Sequence, residues 1–570
     1  MGRRAIITGC LLAMTMFGLT ACASAEGQEA VPTPTPEVVQ TEPVSEEPGA
    51  DVNEPEETEA VAPETTETTD PETTADAGPA TALVENIVFG WNLGNSLDSY
   101  SGTELGKNEG LSSETAWGNP KTTQELIDLV RDSGVNAVRV PVTWYNHMDS
   151  DYVIDEEWMD RVQEVVDYVI HDDLYCVINV HHDTGANGWL RASDTNLEEN
   201  KAMFAAIWEQ VSARFADYDE HLIFEGFNEI LNDANEWVNP DSRAVEIVNE
   251  LNQLFVDTVR VSGGNNAERV LIVNTYCAGG NSQVTRGFVL PADSAENSLV
   301  VEAHIYQPYY FTAEEFPKVT TWSKDTINSY LRNMYTSFVQ KGIPVIVGEF
   351  GCADKGNAEE RLSWAKYYME TCREYGIKCF WWDNGTAYKV FSRRNLKISE
   401  ANLLGTMIAA ARGEEYVAQT IEEEDSDGNL CANIDNWSGW VNSSAKAAIS
   451  YLPDGVSIEV TESGDEEWYI QGSYVGLTLE QGASYEISFD YSATTDITLP
   501  YHFQQNYDPY GVYASGSADY TQETQHYSDV FTMTEETDKN VALVFNCGKR
   551  EEKVPYTMTV TNLRIVKIDE

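Results

Sequence analysis

Eight short apolar runs alternate with amphipathic stretches between about Ile87 and Gly385. The runs are continuously apolar, which is typical of parallel strands buried on both faces, and the stretches between them repeat apolar residues at helical spacing. Eight strands with intervening helices predict a closed (β/α)8 barrel. An open doubly wound sheet is the alternative, but no GxGxxG motif follows the first run. The runs are IVFGWNLGN, AVRVPVTW, YCVINVHHD, LIFEGFNE, RVLIVNT, LVVEAHIYQP, PVIVGEFG and KCFWWDNG.

Beyond about Leu430 the pattern changes to period-two alternation with turn residues between the runs, which predicts an antiparallel β-sandwich. We place the domain boundary between Arg412 and Leu430. The predicted fold is therefore an α/β barrel over residues 83–415 followed by an all-β jelly-roll sandwich over residues 430–570. The alternating runs are VSIEVTES, EEWYIQGSYVGLTL, SYEISFDYSA, TLPYHFQQNY, QHYSDVFTM, NVALVFNCG and YTMTVTNLRIVKI.

The first 82 residues carry neither pattern. Residues 1–22 combine a short basic region, an apolar stretch too short to span a membrane and the sequence LTAC, which resembles a bacterial lipoprotein signal with Cys22 as the acylated residue. An ordinary secretory signal is the alternative. Residues 23–82 are rich in Pro, Thr, Glu and Ala and contain no Lys, Arg or aromatic residue, which predicts a disordered linker. We expect an exported protein, either lipid-anchored on the extracellular face or secreted.

Charge and cysteine content narrow the functional classes. The 35 basic and 94 acidic residues give a formal net charge of −59, which repels nucleic acid phosphates and anionic lipid headgroups. A neutral or cationic partner is therefore expected, and no nucleic acid. Outside the signal, the cysteines are odd in number and lack CxxC spacing, so neither a disulfide framework nor a zinc site is indicated. They are Cys176, Cys277, Cys352, Cys372, Cys379, Cys431 and Cys547.

Almost every predicted barrel strand ends in a residue able to donate, accept or stack. In a parallel barrel the active site lies at the C-terminal ends of the strands. Taken alone, Glu229 is also explained as a helix N-terminal charge or a solvated turn residue, but capping does not explain a ring of such residues. The ring comprises Asn92, Arg139, His181, His182, Asn228, Glu229, His304, Tyr306, Glu349 and Trp382.

Within this ring the acids directly at strand ends are Glu229 and Glu349, on the fourth and seventh strands. Two carboxylates facing one another across a groove suit cleavage of a glycosidic bond. Metal-dependent hydrolysis is the alternative, because His181, His182 and His304 with the two glutamates offer ligands. The HxH and HExxH spacings that indicate a metal site are missing, so we expect no metal cofactor in the barrel.

The motifs GWNLGNSLD, ETAWGNPKT, NAVRVPVTW, INVHHD, GFNEI, VEAHIYQP, VGEFG and WWDNG resemble glycoside hydrolase family 5, especially its bacterial endoglucanase and xyloglucanase branch. The resemblance covers residues 83–412 and implies a TIM barrel with a retaining mechanism. It implies Glu229 as acid/base and Glu349 as nucleophile. It further implies a substrate-binding role for Arg139, His181, Asn228, His304, Tyr306 and Trp382, to which we add His182.

Each implied role has a chemical reason. The nucleophile Glu349 has to be ionised, so we expect Arg139 and Tyr306 to hold its pKa down, whereas Glu229 has to start protonated. Asn228 is placed to bond the sugar hydroxyl beside the anomeric carbon. Trp382 offers a flat face to the sugar, with Trp381 as the alternative, since successive strand residues face opposite ways.

Further aromatic residues are candidates for sugar subsites, and an open cleft lined by them fits cutting within a polymer. Trp117 and Trp189, in loops after the first and third strands, are the preferred ones. For Trp91 and Trp144, core packing is an equal alternative. The full set is Trp91, Trp117, Trp144, Trp189, Trp237, Tyr276 and Tyr309.

The C-terminal motifs NIDNWSGWV, SYEISFDYSA, HFQQNYDPYGVY and QHYSDVFTM resemble carbohydrate-binding modules of families 4 and 9. The resemblance implies a glycan groove lined by aromatic and amide side chains. It also implies a structural calcium ion, although Asn562 stands where an acidic residue is common. The candidate glycan-binding residues are Gln504, Asn506, Tyr507, Tyr510 and Tyr513.

Together these features predict a monomeric, endo-acting, retaining hydrolase of internal β-1,4-glucosidic bonds in cellulose or related β-glucans. A xyloglucanase, lichenase or mannanase of the same family remains open, although ETAWGNPKT resembles the glucan and xyloglucan branch more than the mannanases. A surface glycan-binding protein with an inactive barrel is the alternative from another class.

Overall fold

A computed structural model describes most of the chain beyond residue 77. The predicted signal, Cys22 and the predicted linker up to residue 77 lie outside the described residues. The described ranges are 78–102, 105–106, 109–418, 428–431, 433, 436–442, 444–452 and 454–568.

Eight parallel strands close into a barrel in chain order, each pairing with its sequence neighbours and β1 pairing with β8. The closed barrel is confirmed, and the open-sheet alternative is wrong. Seven of the strands lie within predicted apolar runs, and β5 begins inside the run RVLIVNT and continues beyond it to Gly279. The strands are β1 Gly90–Leu93, β2 Ala137–Val140, β3 Tyr175–Ile178, β4 Leu222–Glu225, β5 Leu271–Gly279, β6 Leu299–His304, β7 Val345–Phe350 and β8 Lys378–Asp383.

Helices connect the strands, as the helical spacing of the stretches between the apolar runs predicts. The Asp155 and Asp241 side chains cap α3 and α5 by accepting backbone N–H bonds at their N-termini. The α-helices in the described part are α1 Pro79–Asn86, α2 Gln124–Asp132, α3 Glu156–His171, α4 Leu197–Arg214, α5 Ser242–Val261, α6 Ser282–Thr285, α7 Tyr309–Thr312, α8 Lys324–Ser337, α9 Ala358–Glu374 and α10 Ala401–Arg412. A short hairpin, β9 Phe391–Ser392 and β10 Lys397–Ile398, follows β8.

Helix α1 closes the N-terminal end of the barrel. Leu83, Val84 and Ile87 pack in one buried cluster with inward-facing strand residues such as Val177 and Phe380. The predicted linker end at Ala82 falls inside this helix, so ordered structure begins a few residues earlier than the composition suggested. The floor of the barrel is therefore apolar.

The C-terminal region forms two five-stranded antiparallel sheets, in the orders β11-β14-β19-β16-β17 and β12-β13-β20-β15-β18. Their inner faces share one hydrophobic core, which confirms the β-sandwich. The strands are β11 Trp437–Val441, β12 Lys446–Leu452, β13 Gly455–Glu462, β14 Ile470–Leu479, β15 Ser484–Ala493, β16 Ile497–Gln505, β17 Val512–Tyr520, β18 Gln525–Thr532, β19 Asp538–Asn546 and β20 Tyr556–Ile568.

Two further features of the described residues are the state of their cysteines and the apolarity of their helices. The seven cysteines of the described residues are buried and unpaired. Within the same part of the chain, the helices lack the combined length and apolarity needed to cross a bilayer.

Candidate active site

Polar residues occupy the barrel interior directly above its apolar floor. Side chains two residues apart on a strand face the same way, so the residue two positions beyond each floor residue also points inward. Val300 leads to Glu302 in this way, and Phe380 leads to Trp382. The resulting inward set is Asn92, Arg139, Asn179, Glu225, Asn274, Glu302, Gly348 and Trp382.

Arg139 is the cation at the centre of this polar layer, and it is fully buried. It donates from Nε and Nη2 to both oxygens of Glu225, at 2.6 and 2.8 Å. Nη1 donates to Glu349 Oε1 at 2.8 Å and to Asn92 Oδ1 at 2.9 Å, while Nη2 also reaches Asn228 Oδ1 at 2.9 Å. A buried charge is tolerated only when it is paired in this way. Arg139 therefore fixes the positions of the two predicted site residues Glu349 and Asn228.

Glu349 lies at the end of β7 with both carboxylate oxygens engaged. Besides Arg139 at Oε1, the Tyr306 hydroxyl donates to Oε2 at 3.0 Å, and His304 Nδ1 lies 3.6 Å from Oε2. Burial raises the pKa of Glu349 above its ordinary value, more than the charges of His304 and Arg139 lower it. The expected contacts are present, but the expectation of a lowered pKa is wrong because desolvation outweighs them.

Glu229 follows β4 and faces Glu349. Its backbone N–H donates to Thr184 Oγ1 at 3.0 Å, which fixes the turn that presents the side chain. Oε1 lies 2.8 Å from His304 Nδ1, whereas the buried Oε2 has no hydrogen-bond partner among the described residues. Carboxylate oxygens of Glu229 and Glu349 and a ring nitrogen of His304 all lie within 4.8 Å of one another.

His304 lies between the carboxylates of Glu229 and Glu302. Its Nε2 lies 3.1 Å from Glu302 Oε1, so each ring nitrogen faces a carboxylate. Burial lowers the pKa of His304, but Glu349, Glu229 and Glu302 outweigh burial and raise it to about 10. The ring is therefore cationic, and a doubly protonated imidazole has no lone pair for a metal ion. This bonding disfavours the metal-hydrolysis alternative at these residues.

A second group of possible ligands comprises Asp98, His181 and His182. Asp98 already accepts backbone N–H bonds from Asn95 and Ser96, at 3.1 and 2.7 Å, and its Oδ2 lies 3.4 Å from His182 Nε2. Burial lowers the pKa of His181 well below its ordinary value, with His182 and Arg139 acting in the same direction. His181 is thus neutral, and Asn179 lies 3.1 Å from its Nδ1.

An aromatic wall lines the same opening. The Trp382 ring stacks on His181 with centroids 5.7 Å apart and an interplanar angle of 7°. Trp117 contacts His182, with centroids 5.1 Å apart. Trp381 points the other way, into the helix layer, and donates to the Tyr388 carbonyl. The structure therefore places Trp382 at the mouth and assigns Trp381 to the core.

Several other candidate aromatics belong to the core. Trp91 and Trp144 are buried and donate to Asp383 and the Asn179 carbonyl. Tyr276 is also buried and donates to the Glu236 carbonyl, so its subsite prediction is wrong. Trp189, Trp237 and Tyr309 are half-buried, and these stay candidates.

Glu225, Glu302 and Asn179 were missed by the sequence analysis. Asn179 donates to Glu225 Oε1 at 3.0 Å. The available signal was a carboxylate inside an apolar run, as in LIFE and LVVEAH. Such a residue requires a buried partner, and Arg139 is the cation that could supply it.

The comparisons with known proteins agree with this geometry. The model of Cellulase (glycosyl hydrolase family 5) matches residues 100–388, and that of Carbohydrate binding domain matches residues 416–555. Endoglucanase B of Neocallimastix patriciarum is 36% identical over 426 residues, which cover 69% of this chain and 84% of that protein. This chain belongs to glycosyl hydrolase family 5.

Solved structures of family 5 enzymes superpose on the barrel. A GH5-4 broad specificity endoglucanase from Ruminococcus champanellensis with bound cellotriose is 41% identical, with a TM-score of 0.55, and covers 59% of this chain and all of that chain. A xyloglucan-specific endo-β-1,4-glucanase from a metagenomic library is 37% identical, with a TM-score of 0.54, and covers 58% of this chain and 98% of that chain. The family 5 barrel is accordingly a glycoside hydrolase domain of the endoglucanase type.

Two of the predicted glycan-binding residues of the carbohydrate binding domain share one carboxylate. Tyr507 and Tyr513 donate to Asp538 Oδ2 at 3.1 and 2.7 Å. Asn506 donates to Asn540, and Tyr510 is 52% exposed. Gln504 lies on β16 beside this group. The Tyr513 ring packs against the sandwich core, whereas Tyr507, 37% exposed, and Tyr510 offer ring surface to a ligand.

A second aromatic feature of this domain was missed. Trp440 and Trp468 stack with centroids 5.7 Å apart and an interplanar angle of 16°, and Trp468 is 49% exposed. Gln471 lies opposite Trp440 on the neighbouring strand β14 and donates to Asn546 at 2.8 Å. The signal was available in NWSGWV, because alternation puts Trp437 inside and Trp440 outside.

The surroundings of Asn562 do not fit a calcium ion. Its amide donates to Asp490 Oδ2 at 2.9 Å, and His526 Nδ1 lies 2.7 Å from Asp490 Oδ1. A calcium site requires oxygen ligands, whereas nitrogen donors already occupy both oxygens of this carboxylate. Binding of a calcium ion elsewhere in this domain stays a prediction.

Proposed function

We propose that the chain cleaves internal β-1,4-glucosidic bonds of cellulose or related β-glucans with retention of anomeric configuration. The observation that carries the proposal is the separation of less than 4.8 Å between carboxylate oxygens of Glu229 and Glu349. Retaining enzymes hold their carboxyl groups about 5–5.5 Å apart, whereas inverting enzymes need about 6.5–9.5 Å to fit a water molecule. Because one oxygen of each residue lies within 4.8 Å of the other, the two carboxyls face one another, and this close approach favours the shorter separation of a retaining enzyme.

Glu349 acts as the nucleophile. Arg139 and Tyr306 hold its two oxygens in place, so that one of them bonds the anomeric carbon while the glycosidic bond breaks. Glu229 gives a proton to the departing oxygen and later takes one from the attacking water. Asn228, whose amide oxygen is held by Arg139, offers its NH2 group to the neighbouring sugar hydroxyl.

Substrate binding falls to the aromatic wall. Trp382 and Trp117 present flat apolar faces to glucose rings, and His181 and His182 bond sugar hydroxyls. The solved relatives are named as a broad specificity endoglucanase and a xyloglucan-specific one. We therefore propose a β-1,4-glucan backbone as the substrate, with xyloglucan and mixed-linkage glucan as the main alternatives. Initial rates on cellulose, xyloglucan, lichenan and mannan distinguish these.

The remaining regions serve the same reaction from outside the cell. The carbohydrate binding domain holds a glucan chain and keeps the enzyme at its substrate. The signal-like segment exports the chain, and acylation of Cys22 anchors it to the cell envelope. The anchored protein is a monomer. Mass spectrometry of the membrane fraction tests the anchor, because an unmodified N-terminus at Cys22 would contradict it.

The experiment that tests the catalytic proposal compares the whole chain with Glu349→Gln on carboxymethyl cellulose. The variant should lose reducing-end release by a factor of about 10³ or more, since it lacks the nucleophile. Glu359→Gln, which changes an exposed carboxylate on α9, should retain full activity. Equal traces from the wild type and Glu349→Gln would leave only a glycan-binding protein. Proton NMR of the first products should show the β-anomer.

A further inference from the structure

Glu302 is a buried carboxylate that is linked to Glu229 through two hydrogen bonds of His304. Its Oε1 faces His304 Nε2 at 3.1 Å, and Nδ1 of the same ring faces Glu229 Oε1 at 2.8 Å. The Glu302 side chain is fully buried, and its Oε2 has no hydrogen-bond partner among the described residues. The neighbouring strand leaves room for it, because a Cβ on Gly348 would lie 1.5 Å from Glu302 Oε1.

On the proposed role of Glu229 as acid/base, we propose that Glu302 is a positioning residue. It keeps both ring nitrogens of His304 protonated, so that Nδ1–H always occupies Oε1 of Glu229 and the acid proton is carried by Oε2. Oε2 of Glu229 is the atom that lacks a partner among the described residues, which leaves it free for the glycosidic oxygen.

The charged groups around His304 support this arrangement. Glu229, Glu302 and Glu349 face its two nitrogens at 2.8, 3.1 and 3.6 Å. Arg139 opposes a positive ring, but it is already bound to Glu225 and Glu349, and its Nε is 3.8 Å from Glu302. His181 is neutral. Without the carboxylate of Glu302, Nε2–H loses its anionic acceptor, and the balance moves toward a neutral ring.

A neutral His304 that carries its proton on Nε2 would misplace the acid proton. With the Nδ1 lone pair facing Oε1, the proton of Glu229 would sit between these two atoms and away from the substrate. In the normal first step, the proton on Oε2 passes to the leaving oxygen while a Glu349 oxygen bonds the anomeric carbon and the glycosidic bond breaks. In the second step, water bonds that carbon, Glu349 departs and the water proton returns to Oε2. Both transfers use Oε2.

The test is leaving-group dependence in the full-length enzyme. Cellotetraose needs acid assistance, whereas 2,4-dinitrophenyl β-cellobioside releases a phenolate without it. For Glu302→Gln we expect kcat/KM to fall about 10- to 100-fold on cellotetraose, a loss of general acid catalysis. On 2,4-dinitrophenyl β-cellobioside, the kcat/KM of the same variant, which reports the glycosylation step, should fall less than about threefold. Because protons compensate for the missing charge, the loss on cellotetraose should shrink as the pH is lowered.

The control is Glu225→Gln, which removes another buried carboxylate of the same layer that bonds Arg139 rather than His304. Glu225→Gln should lower kcat/KM on both substrates by a similar factor, since Arg139 acts on the nucleophile Glu349. Glu302→Asp retains the charge but shortens the side chain, and should show the same selectivity to a smaller extent. This variant decides the question if Glu302→Gln does not fold.

Equal losses on both substrates, or a loss that does not depend on pH, would overturn the proposed role of Glu302. A Glu229→Ala arm separates this failure from failure of the proposed function. If Glu229→Ala discriminates between the two substrates and Glu302→Gln does not, the inference about Glu302 alone is wrong. If Glu229→Ala fails to discriminate, the acid/base role of Glu229 is wrong and the inference falls with it.

Discussion

At the scale of single residues, the Tyr306 hydroxyl tunes the nucleophile. Its bond to Glu349 Oε2 lowers the pKa of a carboxyl whose pKa burial has raised. Activity needs the ionised form, so kcat/KM is lost as the pH falls through that raised pKa. Tyr306→Phe should raise the pKa further and move the acid limb to higher pH. The rate at the optimum should fall about 10- to 100-fold, the value of a hydrogen bond to a charged group.

The measurement is a pH profile of kcat/KM on cellotetraose. Tyr367→Phe is the matched control, because its hydroxyl bonds Asn328 outside the barrel mouth and its loss should leave the acid limb in place. An acid limb that stays fixed in Tyr306→Phe would contradict the arrangement.

The neighbouring tryptophans of β8 should separate activity from stability. Trp381→Ala removes a fully buried ring and should destabilise the barrel by about 3–5 kcal/mol. Trp382→Ala removes the ring that stacks on His181 and should raise KM by at least about tenfold, because the stacking of this ring on a sugar is lost. Its effect on the free energy of unfolding should be smaller than that of Trp381→Ala. Chemical denaturation and steady-state kinetics measure the two effects. A larger activity loss in a folded Trp381→Ala variant would reverse the assignment.

Sequence reasoning found the residues at strand ends and missed those inside the strands. Glu229, Glu349 and Arg139 were recognised because the C-terminal ends of barrel strands carry the chemistry. Glu225 and Glu302 lie within runs that were interpreted by their apolar majority. The sign of the Glu349 pKa shift was also wrong, since desolvation depends on the depth of the site, which a sequence does not give.

At the scale of elements, β7 is adapted to the carboxylate of β6. Gly348→Ala should be destabilising by about 1–3 kcal/mol, the usual cost of overpacking, because its Cβ would overlap Glu302 Oε1. It should also displace the adjacent Glu349 and remove most activity. Gly106→Ala is the control, since among the described residues its Cβ would meet Glu109 Oε1 alone, at 3.4 Å. Thermal unfolding of both variants measures the difference, and equal melting temperatures would contradict the close packing.

The two domains differed in how well their elements could be predicted. All eight barrel strands were found, because strands buried on both faces leave continuous apolar runs. In the sandwich, β11, β12 and β17 were missed. The sequences WSGWV and VYASGSADY mix Gly, Ser and Ala with large residues, and such strands are held by their neighbours rather than by their own propensity.

At the scale of the whole molecule, the two domains have separate hydrophobic cores, and the similarity to a solved endoglucanase covers all of that chain but 59% of this one. A chain that ends at residue 418 should therefore fold and turn over cellotetraose at a similar rate to the full chain. On insoluble cellulose it should lose about tenfold or more, because the second contact with the polymer raises the effective concentration of the barrel.

The exposed Trp468 gives this comparison a finer control. Trp468→Ala in the full chain should reproduce much of the loss on insoluble cellulose and leave the turnover of cellotetraose unchanged, since stacking of Trp440 and Trp468 offers an apolar face to a glucan. Affinity electrophoresis in soluble β-glucan measures the binding directly. If the truncated chain loses activity equally on both substrates, the sandwich supports the barrel structurally rather than by holding the polymer.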